Sequence, residues 1–147
     1  MAKFSTGLRN GMLNDTGFLE ALDGGVLKVY SAVTPPATAD DAVTGTLLMT
    51  LTAGGDGVTG LTFEPPVDGI LVKSVSQVWM TSAVDVSGSC TYFRFVLPSD
   101  TDASSTTAPR VQGSIGLMNS DMNLTSTAVT AAEPWTLNYF SVSLPTA

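Results

Sequence analysis

Apolar residues recur along this chain with two different periods, and the change from one to the other falls near residue 26. Before it the period is helical. Phe4, Leu8 and Met12 are spaced by four, with Leu13 beside them, as on one face of a helix. Gly7 and Gly11 interrupt that face, each at a cost of about 1 kcal/mol relative to alanine, so the helix needs a surface to lie on. A second helix is predicted from Asp15 or Thr16 as N-cap through Phe18, Leu19, Ala21 and Leu22, with Asp23-Gly24-Gly25 as its stop.

After residue 26 the period is two. Strands are predicted over 26–31, with Leu27 and Val29 on one face and Lys28 on the other, and over 46–52. Residues 69–82 suit one bent strand or two short ones. Residues 91–97 alternate Phe93, Phe95 and Leu97 against Tyr92, Arg94 and Val96. Further strands are expected over 110–117 and 136–144, with short ones at 61–63 and 122–125. Turn residues punctuate them, as in Gly54-Gly55-Asp56-Gly57 and Ser87-Gly88. The expected fold is mainly β: a single β-sandwich or jelly-roll-like domain of about eight strands, residues 26–147, preceded by a short helical segment, residues 1–25. Periodicity does not separate a sandwich from a closed barrel. Three long loops, 31–44, 98–109 and 128–134, are natural sites for contacts with neighbours.

Composition narrows the function classes. The chain is 44% apolar and only 13% charged, which excludes a disordered polyelectrolyte. A sparsely charged surface loses little desolvation energy when packed against another protein, which suits permanent assembly. The net charge is −7, and Lys3, Arg9, Lys28, Lys73, Arg94 and Arg110 are scattered singly, so no direct nucleic-acid partner is expected. The single Cys90 reads as a small buried hydrophobe near a strand start. No apolar run suits a signal peptide or reaches the roughly 18 residues of a membrane span, so synthesis in the cytoplasm, with exit only by cell lysis, and no membrane partner are expected.

Catalytic chemistry is thin. The chain contains no histidine, which removes Ser-His-Asp and Cys-His arrangements and the commonest general base. A Ser-Lys pair through Lys28 or Lys73 is formally open, but both lysines fit better as outward-facing guards of strand edges. The acids Asp40-Asp41, Asp100 with Asp102, and Glu64 with Asp68 lack calcium-loop spacing and read as solvated loop acids. No catalytic residue, metal or cofactor is expected. Trp79, Trp135, Tyr30, Tyr92 and Tyr139 could form a sugar-stacking face, though aromatics on separate strands read first as core and subunit contacts.

Several segments nevertheless have a family look: Phe4-Ser5-Thr6-Gly7-Leu8-Arg9-Asn10 with Met12-Leu13, Asp23-Gly24-Gly25-Val26-Leu27-Lys28-Val29-Tyr30-Ser31, and Pro35-Pro36-Ala37-Thr38-Ala39-Asp40-Asp41-Ala42 with Thr44-Gly45-Thr46-Leu47-Leu48. Pro109-Arg110-Val111-Gln112-Gly113, Met122-Asn123-Leu124 and Tyr139-Phe140-Ser141-Val142 continue it. Together they resemble small structural virion proteins of tailed bacteriophages and prophages, over most of the chain. The resemblance implies a cement or decoration protein on the phage head surface, bound outside the expanded capsid and clamping adjacent major capsid protein subunits. It also implies self-association as a dimer or trimer. Candidate capsid or subunit contacts are Phe4, Leu8, Arg9, Met12, Leu13, Pro35, Pro36 and Trp135. The Phe4/Leu8/Met12 stripe is either an arm that orders on the shell or a helix folded on its own sandwich. The alternative, from another class, is a tail- or fibre-associated protein that binds host glycan or receptor.

Overall fold

The computed structural model describes residues 1–14 and 16–144, so Asp15, one of the two expected helix caps, lies outside the described residues. In chain order the elements are β1 (Lys3–Phe4), α1 (Thr6–Asn14), α2 (Phe18–Leu22), β2 (Val26–Ser31), β3 (Thr46–Ala53), β4 (Ile70–Val72) and β5 (Trp79–Thr81). They continue as β6 (Gly88–Ser89), β7 (Tyr92–Val96), β8 (Arg110–Gly116), β9 (Met122–Asn123), β10 (Ala128–Val129), β11 (Trp135–Leu137) and β12 (Ser141–Ser143). The fold is mainly β and sandwich-like, with its short helical segment at the N-terminus.

Most of the strands form one sheet in the order β1-β8-β7-β2-β3-β5-β11, with β9 parallel to β8. The ribbons β4–β12 and β6–β10 complete the body. The inner face of the sheet carries Leu27, Val29, Phe93, Phe95 and Val111, all at most 2% exposed. Phe63 and Phe140 pack against it together with Trp79 of β5, with ring centroids 5.3 to 6.3 Å apart. Each such side chain taken from water contributes about 1.5–3 kcal/mol, so this cluster is the energetic centre of the fold. A register shift between Val29 and Tyr30 bulges β3 and buries Leu48 and Met49 together, which strict alternation does not anticipate.

Long predicted strands break where backbone groups turn to other partners. Residues 69–82 divide into β4 and β5 around a turn closed by Gln77 N–H donating to Ser74 O. Residues 136–144 divide into β11 and β12 so that Phe140 can enter the core and its carbonyl can accept from Lys73 N–H. Residues 61–63 make only isolated bridges, Gly25↔Leu61 and Phe63↔Lys73. The strands β1, β6 and β10 have two residues each, too few to show a period.

The N-terminal segment packs as part of the same body. The strand β1 adds to β8, with Phe4 opposite Val111. Ser5, fully buried, caps α1: its Oγ accepts from Leu8 N–H (3.1 Å) and Arg110 N–H (2.9 Å) and donates to Ala108 O (2.7 Å). Gly7, read from sequence as a weakness, is where α1 crosses the 97–109 loop, and a Cβ there would overlap the Thr107 carbonyl. The second helix starts at Gly17 without a side-chain cap and ends before Gly24, whose φ of +74° favours glycine.

Candidate interaction surface

The outer face of the sheet is where sequence and structure differ most. Lys28, Tyr30, Tyr92, Arg94, Arg110 and Gln112 lie on the adjacent strands β2, β7 and β8, with Lys28 opposite Arg94 and Arg94 opposite Gln112. Such a face normally meets water. Here two of the long loops, residues 32–45 and 97–109, close over it, and Arg94, Arg110 and Gln112 are at most 2% exposed.

The polar groups under this roof are bonded to the roof itself. Arg110 grips Asp100 with two hydrogen bonds, Nε to Oδ2 at 2.6 Å and Nη2 to Oδ1 at 2.9 Å, and also donates to Ala103 O and Ala39 O. Asp100 in turn accepts from Asp102 N–H at 2.7 Å. Burial alone would raise the Asp100 carboxyl. Hydrogen bonds from Arg110 and the Asp102 amide, with the charges of Arg110 and Lys28, outweigh it and hold the group below the usual carboxylate range. Asp102 accepts from Lys28 Nζ at 2.7 Å and from Tyr30 Oη at 3.3 Å. Gln112 bridges Arg94 Nε (2.8 Å) and the Pro36 carbonyl (2.8 Å). Tyr92, stacked on Tyr30 at 4.8 Å, donates to Thr44 O at 2.8 Å. Burial raises both phenols above their ordinary value.

Three readings from the sequence are corrected here. Asp100 is no solvated loop acid, because its side chain is 2% exposed and is paired to Arg110. Lys28 guards no edge, because β2 is a central strand and its ammonium is held by Asp102. Lys73 likewise turns inward, donating to Ser74 O and Gln77 O above the Trp79 ring. Arg94 has the least satisfied environment: burial, then the charge of Arg110, lowers its pKa, and its Nη1 has no hydrogen-bond partner among the described residues. With these cations enclosed or engaged, Lys3 and Arg9 remain as exposed basic residues, and Lys3 Nζ already donates to Ala37 O.

The candidate contact residues do not form one patch. Leu8 is fully buried and belongs to the core, so it is not a contact surface in this fold. Phe4 and Met12 are half-buried against the core, and Phe4 packs edge-on to Phe18 at 5.5 Å. Leu13 (86% exposed) and Arg9 face outward. Pro35 is exposed at the rim of the loop roof, whereas Pro36 is buried beneath it. Trp135 is half-buried at the far end of the sheet, on β11. Beside α2 lies an apolar recess of about 260 Å³ lined by Phe18, Leu19, Pro66, Leu71, Val142 and Leu144. Val67 and Ile70, from its neighbouring turn and strand, are exposed. Periodicity does not find this recess, because it is assembled from three separated segments.

Cys90 is buried, and burial pushes its thiol up to about 11, as suits a packing residue. Glu64 accepts from Ser74 Oγ and Val75 N–H, and Asp41 from the Thr38 hydroxyl and amide, so these loop acids serve turns. Among the described residues no group of three or more acidic, cysteine or histidine side chains converges as a metal site, and no helix is long and apolar enough to cross a membrane. No protein-family model, curated protein or solved structure matches the chain.

Proposed function

We propose that this protein is a structural component of a tailed-phage particle, a cement protein that binds outside the expanded head and clamps adjacent major capsid protein subunits. The observation that carries the reading is the fastened roof: long loops that would otherwise move are tied down by Arg110, Gln112, Asp102 and Tyr92. A body with preset loops loses little conformational entropy on docking, and a capsid lattice repeats that advantage at every copy. The sparsely charged exterior and the apolar recess beside α2 offer protein contacts of the kind that lose little on desolvation. The segmental resemblance to phage structural proteins supplies the partner.

The test is co-sedimentation of the purified protein with expanded, undecorated capsids of its own phage, with unexpanded proheads as control. Saturable binding selective for the expanded shell is expected. Binding to neither shell overturns the reading.

A further inference from the structure

A second concave feature lies at the far end of the sheet, away from the roofed face. The segments 121–126 and 135–141 face each other across a groove of about 600 Å³, within the range typical of small-ligand sites. Its floor is apolar, built from Met122, Leu137 and Phe140, each at most 5% exposed. Its walls carry two aromatic rings, the half-buried Trp135 and Tyr139, which is 66% exposed. Between them stand Asn123, Thr125, Thr136 and Asn138, all exposed to solvent within the groove.

Most polar side chains of this groove are unengaged, Ser126 excepted, whose Oγ accepts from Ala128 N–H. Several loop acids outside it are spent on turns: Asp56 on Thr59 and Val58, Glu64 on Ser74 and Val75, Asp41 on Thr38. In the groove the side chains of Asn138, Thr125 and Thr136, the Trp135 Nε1–H and the Tyr139 hydroxyl hydrogen-bond to no other described residue. Asn123 uses only its carbonyl oxygen, which accepts from Ser120 N–H, and keeps its amide donors free. The groove therefore concentrates unengaged donors and acceptors around two aromatic faces and an apolar floor.

That combination matches one ligand chemistry closely. A pyranose ring has an apolar face of C–H groups that stacks on an aromatic ring, and an equator of hydroxyls that both donate and accept. Asparagine amides and threonine hydroxyls do the same, so they pair with sugar hydroxyls without a net charge on either side. Charge selects further. Among the described residues no lysine or arginine lines the groove, and its one acid, Asp121, is already held by the N-terminal amine and by Ser114. Apart from that amine, which is paired to Asp121, anionic glycans and phosphates find no counter-charge there. We infer that the groove between residues 121–126 and 135–141 is a binding site for a neutral oligosaccharide, with Tyr139 and Trp135 as stacking faces and Asn138 and Asn123 as hydroxyl readers. Neither the roofed loops nor the recess beside α2 contributes to this site, and Trp135 is the one residue it shares with the candidate capsid contacts.

The experiment screens the purified full chain on an array of bacterial surface polysaccharides, then titrates the best-binding neutral oligosaccharide by calorimetry. A dissociation constant of roughly 0.1–1 mM is expected for one shallow site. Tyr139→Ala and Asn138→Ala, both at exposed positions, should each weaken binding about tenfold or more with thermal unfolding unchanged. Trp135→Phe, which keeps the packing of the half-buried ring, should weaken it less. Three results overturn the proposal: no neutral glycan bound at about 10 mM, affinity untouched by Tyr139→Ala and Asn138→Ala, or a preference for anionic glycans. An extended peptide captured in the groove by cross-linking, with no sugar binding, overturns it in favour of strand docking.

Discussion

Replacing Asp100 with asparagine removes the charge that Arg110 faces while keeping the side chain's shape. In the native fold the pair is enclosed, at 2% and 1% side-chain exposure, and the guanidinium makes two short hydrogen bonds to the carboxylate. The substitution leaves a buried cation beside Arg94, whose charge already opposes that of Arg110. Breaking a buried pair from one side costs about 3–5 kcal/mol, because the remaining charge stays desolvated. For a chain of this length about 3 °C of Tm accompanies each kcal/mol, so Asp100→Asn should lower Tm by about 10–15 °C. Amide exchange should rise first in residues 97–109 and 38–44, which the pair and its neighbours tie to the sheet. Replacing both partners by apolar residues, Asp100→Leu with Arg110→Met, removes the stranded charge and should recover at least half of the loss. The sign in pH follows from the lowered carboxyl: its stabilisation is present above the unfolded aspartate value of about 4 and is lost as pH falls through the folded value. Asp100→Asn should flatten that acid limb. Urea and thermal unfolding of the single and double variants, with hydrogen exchange, measure all of this. A single-variant loss below about 1 kcal/mol, or a double variant no better than the single, would refute the reasoning.

Ser5→Ala should cost about 2–4 kcal/mol in urea unfolding, because it removes the α1 cap and leaves the Arg110 amide without its acceptor. Gly7→Ala, which favours an isolated helix, should instead destabilise this protein by about 1–3 kcal/mol, since the new methyl meets the Thr107 carbonyl. Cys90 should react with a thiol reagent at neutral pH only as fast as the chain unfolds, its thiol being buried and raised to about 11; rapid labelling of the native protein would contradict that. Val67→Asp, at a position 68% exposed, should leave Tm within about 1–2 °C and reduce saturation of expanded capsids; full saturation would exclude the recess beside α2 from the contact.

Much of this fold is legible in the sequence, and the failures have physical causes. The strands over 26–31, 46–53 and 92–96 show their period because one face of each meets a continuous apolar core. The fastened roof was hidden because the alternation of Tyr92, Arg94 and Val96 against Phe93 and Phe95 states only that these residues point away from the core, not what covers them. A signal was present: a strand whose outward residues are aromatic, long or apolar, in a chain with two long loops of low charge. The pairing itself, Arg110 with Asp100 and Lys28 with Asp102, depends on three-dimensional register across 10 and 74 residues of sequence. The cap at Ser5 was obscured for a related reason, since the Phe4/Leu8/Met12 stripe runs through it although Phe4 is a strand residue. The groove residues Trp135 and Tyr139 were named among the aromatics, while Trp79, Tyr30 and Tyr92 proved to be buried.

The capsid reading is tested most directly by counting this protein in purified phage after heads and tails are separated. Quantitative mass spectrometry of the two fractions should place it with the heads, at a copy number comparable to that of the major capsid protein. Recovery with the tails, at a small fraction of that abundance, would contradict the cement role and leave the oligosaccharide groove as the site to pursue.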